Sequence, residues 1–153
     1  MISNYLLDLN VLIALTEPGH QHHAKAQSWF ANLGESTWGI CPLTEAGFIR
    51  VMSNPAMRAG TGTLDPSIAI QQCIAILQNL KIVPGFGYWQ ITETENWVRV
   101  TTPFAARISG HQQITDAYLL GLAIAKGGAL VTFDRGLRFL AGSEFERNLL
   151  VLE

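Results

Sequence analysis

Residues 114–134 read ITDAYLLGLAIAKGGALVTFD, and this stretch decides the architecture. Ile114 to Ala125 is apolar almost all round, which marks a helix buried on every side. Gly127-Gly128 closes that helix, because glycine accepts the left-handed backbone of a C-terminal cap. Ala129 to Thr132 is then a short apolar strand. A buried helix that returns directly into a buried strand belongs to an α/β fold with a parallel sheet. Two acids bracket the unit. From Asp116 the helix climbs about ten residues at roughly 1.5 Å each, and the strand comes back over about four residues at roughly 3.3 Å each. Asp134 thus regains the level at which Asp116 began.

The same alternation runs through the rest of the chain. Tyr5 to Leu9 reads as a buried strand carrying Asp8, and Asn10 starts a short apolar helix, Val11 to Leu15, that stops at Pro18-Gly19. Ala24 to Leu33 is helical, with Ala26, Trp29, Phe30 and Leu33 on an inward face. Thr37 to Cys41 is a second strand, ended by Pro42, and Thr44 is the expected N-cap of a helix through Met52. Asn54-Pro55 closes it, and Gly60-Thr61-Gly62 is a loop. Pro66 to Leu80 is helical, with a short strand expected at Ile82-Val83. Residues 84–110 carry no clear pattern. Leu149 to Leu152 is the last strand. The expectation is a single domain over residues 1–153: a three-layer α/β/α fold with a mostly parallel sheet of four or five strands.

The chain has 153 residues, enough to bury a core unaided. Cys41 and Cys73 lack metal-ligand spacing and read as small buried hydrophobes in a reducing compartment. The apolar stretch from Tyr5 to Leu15 is broken by Asp8 and Asn10, so neither a signal peptide nor a membrane span is expected, and the expected location is cytoplasmic. Twelve acids against ten bases give a net charge of −2, and no basic footprint for nucleic acid. Only 14% of residues are charged against 48% hydrophobic, so acids inside apolar runs call for a reason.

Four acids meet that description: Asp8, Glu45, Asp116 and Asp134. Parallel sheets bind ligands beyond the carboxyl ends of their strands, beside the N-termini of the following helices. Asp8 ends the first strand, Glu45 opens the helix after the second, and Asp116 and Asp134 share that level. Glu45, Asp116 or Asp134 alone reads equally well as a helix-dipole complement or a turn residue, whereas Asp8 at the end of an apolar strand does not. Four together on one edge do not. Clustered carboxylates raise one another's pKa, and a hard divalent cation, Mg²⁺ or Mn²⁺, relieves the repulsion with an all-oxygen shell. With the four acids set aside, ten bases face eight acids, compatible with a phosphodiester substrate. Hydrolysis of a phosphodiester is the chemistry such a site supports.

The segments LLDLNVLIAL at 6–15, TEAGFIRV at 44–51, TDAYLLGLA at 115–123 and VTFDRGL at 131–137 follow one another in an order that resembles PIN-domain ribonucleases. More narrowly, the chain resembles VapC toxins of type II toxin–antitoxin modules. The resemblance implies that Asp8 and Asp116 hold Mg²⁺ and that Glu45 and Asp134 complete the acidic pocket. Asn10 and the Thr132 hydroxyl are then supporting groups that orient the carboxylates. It also implies a metal-dependent endoribonuclease, a homodimer, and a VapB-type antitoxin whose tail enters the groove. Trp29 and Phe30 are candidates for that contact, and Arg50, Arg58, Arg135 and Arg138 for RNA backbone contacts.

Other readings fit less well. His20, His22 and His23 lack partners at zinc-ligand spacing, His111 reads as a surface or capping residue, and Gly60-Thr61-Gly62 is no phosphate loop. A receiver-type domain would need a second acid beside the first-strand cluster and a late-strand lysine. A haloacid-dehalogenase-type phosphatase would need aspartate where Asn10 stands. A non-catalytic PIN-fold module binding RNA or protein is the remaining alternative, and the full acidic set weighs against it.

Overall fold

The computed structural model describes residues 1–58 and 66–153; the Gly60-Thr61-Gly62 loop and the Arg58 side chain lie outside what it describes. Four strands, β1 (Asn4–Leu7), β2 (Thr37–Gly39), β3 (Ala129–Thr132) and β4 (Leu149–Val151), form a sheet in the order β2-β1-β3-β4. Every pairing is parallel, with Tyr5 opposite both Trp38 and Ala129, and Val131 opposite Leu150.

Side chains alternate across a strand, and the core divides accordingly. Leu6 and Leu130 face one layer, built from α5 (Trp97–Thr101), α6 (Ile114–Ala125) and α7 (Leu137–Ala141). Leu7 and Val131 face the other, built from α1 (Leu9–Thr16), α2 (His23–Ala31), α3 (Pro42–Met52) and α4 (Pro66–Leu80). The result is an α/β/α sandwich. Asp8 and Thr132 have the parity of Leu6 and Leu130, so both belong to the side that α6 covers.

Helix α6 ends as its glycines require. Gly127 has φ +69°, and the Gly128 N–H donates to the Ala123 carbonyl at 2.9 Å, which closes the helix and aims the chain into β3. The segment without a sequence pattern, 84–110, is held by scattered bonds. Tyr118 donates its hydroxyl to the Glu95 carbonyl at 2.7 Å, and Trp97 donates its indole N–H to the Ile114 carbonyl at 3.0 Å. Gly121 lets α5 lie against α6, since a Cβ there would meet the Val100 carbonyl oxygen at 2.5 Å.

Several local expectations are corrected. Ile82-Val83 is a turn, not a strand, and Ile82 is 82% exposed. Pro84 has no N–H to give a ladder and Gly85 has φ +83°, so the chain turns there, and its carbonyls at 84 and 85 accept from the Trp38 indole and backbone N–H groups at 3.2 and 3.0 Å. It then runs beside β2, with Gly87 donating to the Trp38 carbonyl at 2.8 Å and Trp89 to Ile40 at 2.9 Å. Cys41, not Thr44, is the N-cap of α3, because Pro42 has the φ suited to a first helical position. Thr44 is buried instead, its hydroxyl 3.5 Å from the Cys41 sulfur. Trp29 and Phe30 pack edge-on against Tyr5 and Trp38 and remain half-buried. Cys41 and Cys73 are buried free thiols. No helix among the described residues is long and apolar enough to cross a membrane.

Candidate metal centre

Strand β1 ends one residue before Asp8, which caps α1. Its Oδ1 accepts from the Leu9 N–H at 2.7 Å, and its own N–H donates to the Val131 carbonyl at 2.9 Å. Its Oδ2 accepts from the Thr132 hydroxyl at 2.7 Å. That hydroxyl in turn accepts from Asn10 Nδ2 at 3.2 Å and from the Asp134 N–H at 3.0 Å. Asn10 completes the circuit by accepting from the Phe133 N–H at 3.2 Å. Thr132 therefore spends its one proton and both lone pairs within the cluster. The α1 cap and the end of β3 are locked together, and Asp8 is left only 6% exposed.

Burial is the main reason Asp8 titrates above an ordinary aspartate; the Thr132 and Leu9 bonds pull it down, and the charge of Asp134 pushes it up again. Asp116, in the first turn of α6, is raised to about 6, first by burial and then by the charges of Asp8 and Asp134. Asp134 is exposed, and its Oδ1 accepts from the Gly136 N–H at 2.8 Å, an Asx-type turn. These three acids form one electrostatic unit.

Glu45 is elsewhere. Its carboxylate accepts from the Tyr88 hydroxyl at 2.6 Å and pairs with Lys81 at 2.8 Å, while the Lys81 ammonium lies 5.2 Å from the Tyr88 ring centroid. Helix geometry accounts for this. A groove of about 520 Å³ opens over Asp8 between α3 and α6, with Leu43, Ala46, Gly47 and Arg50 on one wall and Thr115, Asp116 and Leu119 on the other. Positions 43, 46, 47 and 50 make one helical stripe with Pro42 and Thr44 beside it, and the Glu45 carboxylate meets residues after α4 instead. Gly47 sets the closeness of α3 to α1, since a Cβ there would come within 3.1 Å of Leu9 Cδ2. Nothing local in residues 81–88 announces a carboxylate partner, and Tyr88 falls in the stretch without pattern.

The donor set fits a hard cation that keeps much of its water. Asp8 and Asp116 supply oxygen only, and Asp116 accepts no hydrogen bond among the described residues. No group of three or more acidic, histidine or cysteine side chains among those residues is placed to hold an ion alone. One or two carboxylates plus several waters is the usual arrangement for Mg²⁺.

Of the remaining polar candidates, His20, His22, His23, Arg135 and Arg138 have partners. His23 Nδ1 lies 2.7 Å from the Ala14 carbonyl, His20 accepts from the His22 N–H at 3.0 Å, and His22 stacks on Phe133 with centroids 4.6 Å apart. His111 is exposed ahead of α6. Arg135 and Arg138 both reach Glu153, at 3.9 and 2.6 Å. Arg50 is exposed and has no carboxylate partner among the described residues.

Comparison with known proteins adds independent findings. The family model of the PIN domain matches residues 5–142. Ribonuclease VapC38 of Mycobacterium tuberculosis is 40% identical over 136 residues, covering 89% of each chain. Ribonuclease VapC39 of the same species is 39% identical over 132 residues, covering 86% of this chain and 89% of the relative. Among solved structures, the VapBC2 complex of Rickettsia felis bound to a DNA fragment from their promoter has a chain that matches with TM-score 0.58 at 14% identity. That match covers 98% of this chain and 97% of the other, and is a likeness of fold.

Proposed function

The chain belongs to the PIN-domain family and, within it, to the VapC group; from that premise we propose that it is an Mg²⁺-dependent endoribonuclease and the toxin of a type II toxin–antitoxin pair. The supporting observation is the pairing of two unlike carboxylates at one groove. Asp8 is immobilised by the Thr132 circuit, and Asp116 stands opposite it on the groove wall.

Asp8 and Asp116 are the residues that hold the ion, with Mn²⁺ a possible substitute. When bound, it polarises a phosphoryl oxygen and makes a water acidic enough to attack phosphorus. The chain's own groups do the positioning. Thr132 and Asn10 fix the orientation of Asp8 so that no reorganisation is needed on binding. Asp134, exposed beside the pair, takes up a proton from the attacking water. Glu45 borders the site from its bond with Lys81 and Tyr88 and shapes the water around the ion. An antitoxin of the VapB type would silence the enzyme by placing an arginine between Asp8 and Asp116, a charge-assisted bidentate contact. A homodimer is part of the same reading.

The direct test incubates total cellular RNA with the purified chain and with Asp8→Asn, with Mg²⁺ or Mn²⁺ and with chelator. Discrete products that vanish in the variant and in chelator are expected, and their ends name the target. No cleavage under any condition, alongside Mg²⁺ binding that needs Asp8, favours the non-catalytic binding module.

A further inference from the structure

The groove over Asp8 has a cation that the metal chemistry does not use. Arg50 closes the helical stripe of Leu43, Ala46 and Gly47 that forms the α3 wall, while Asp116 stands on the facing α6 wall. Five other cations among the described residues pair with carboxylates. Lys81 pairs with Glu45, Lys126 with Glu95 at 3.1 Å, Arg107 with Glu144 at 3.8 Å, and Arg135 and Arg138 with Glu153. Arg50 lines a groove that contains two carboxylates, yet it makes no ion pair with either among the described residues. A guanidinium left open beside acids is suited to an anion that arrives from outside.

Resting on the reading that this groove takes RNA, we propose that Arg50 binds a backbone phosphate of single-stranded RNA next to the bond that is cut. The groove is thereby divided by charge. The acidic side takes the cation and the scissile phosphate, the arginine takes a neighbouring phosphate as a fork of donors, and the apolar stripe between them accepts an unstacked nucleoside. Two phosphates held at fixed separation set the register of the strand over Asp8. Arg135 and Arg138 already face Glu153.

The test is fluorescence anisotropy of a labelled 12-nucleotide single-stranded RNA, in Ca²⁺, across a salt series. The proteins compared are the wild type, Arg50→Gln, Arg50→Lys and Arg147→Gln. Arg147 is exposed just before β4, at the sheet edge opposite the groove, and controls for the loss of one charge. Arg50→Gln is expected to weaken binding roughly tenfold, as loss of a charged hydrogen bond does. It should also flatten the slope of log affinity against log salt by about 0.7, the value for one phosphate of a single strand. Arg50→Lys should restore the slope, and Arg147→Gln should resemble the wild type. Equal affinity and slope in Arg50→Gln and wild type would overturn the assignment, as would equal losses in Arg50→Gln and Arg147→Gln. Wild-type RNA binding that depends on Arg50, without cleavage in Mg²⁺ or Mn²⁺, keeps the assignment and removes the hydrolytic reading instead. Unchanged RNA binding with weakened binding of a protein partner would move Arg50 to that partner and overturn the proposal.

Discussion

Asp8 and Glu45 are both acids at the start of helices that follow parallel strands, yet the molecule holds them in opposite ways. Asp8 is fixed by short side chains and backbone: the Leu9 N–H, the Thr132 hydroxyl and, behind it, Asn10. Each of these has few rotamers and sits at the end of a buried strand or the start of a helix. Glu45 is held by a lysine that is 40% exposed and by a tyrosine on an irregular segment. One acid is preorganised and stays close to its neighbours' charges; the other has its charge neutralised by a partner that water can reach. Positions equivalent in topology need not be equivalent in chemistry. The helix turn on which an acid falls decides whether it meets the groove or its flank.

The contrast can be broken at either end. Its largest expected effect comes from Asp8→Asn, which removes a ligand and should reduce RNA cleavage by more than the roughly 10–100-fold that loss of a supporting group costs. Thr132→Val comes next. It keeps the shape but removes the partner of Asp8 Oδ2, Asn10 Nδ2 and the Asp134 N–H, and of these Asp8 is buried, where an unpaired group costs about 1–3 kcal/mol. Urea denaturation should show a clear loss of stability, and cleavage should fall by roughly 10–100-fold.

The pH response is of intermediate size. Asp116 binds its proton more tightly folded, at about 6, than at the ordinary value of 3.8. Between those values the native state carries more protons than the unfolded one, so the metal-free protein loses stability as pH rises from about 4 to about 6. Above that the penalty is constant. Thermal melts in chelator should be higher at pH 5 than at pH 7, and added Mg²⁺ should reverse the order. Melts in chelator that rise over this interval would contradict a carboxyl of Asp116 held high by burial and by its acidic neighbours.

Smallest of all are the changes at Glu45's partners. Lys81→Met and Tyr88→Phe each remove one partner from a partly exposed group, and such pairs contribute about 0–1 kcal/mol. Melting temperature and cleavage should change much less than in Thr132→Val. Equal effects in the two sets would erase the distinction.

How legible was this in the sequence? The unit from Asp116 to Asp134 was readable because apolar composition, paired glycines and helix rise act locally. The sheet's parallel sense and its layers follow from the same repetition. Asp8, Asn10 and Thr132 were readable as a group only through their shared level and the family resemblance, since a bond between residues 10 and 132 has no local sign. Three things escaped. Ile82-Val83 has strand composition, but Pro84 and Gly85 overrule it. Thr44 has capping chemistry, but Pro42 starts the helix earlier. Residues 84–110 are placed by single long-range contacts, such as Tyr118 to Glu95 and Gly121 beneath Val100, which leave no period behind. Glu45's attachment to Lys81 and Tyr88 depends on that same stretch.

In the proposed site Asp8 and Asp116 hold the ion directly, and Glu45 reaches it only through water. Calorimetric titration of Mn²⁺ into the wild type, Asp116→Asn and Glu45→Gln tests this division most directly. Asp116→Asn is expected to abolish binding, and Glu45→Gln to leave one ion bound with affinity within a few-fold of the wild type. Loss of binding in Glu45→Gln equal to that in Asp116→Asn would contradict it.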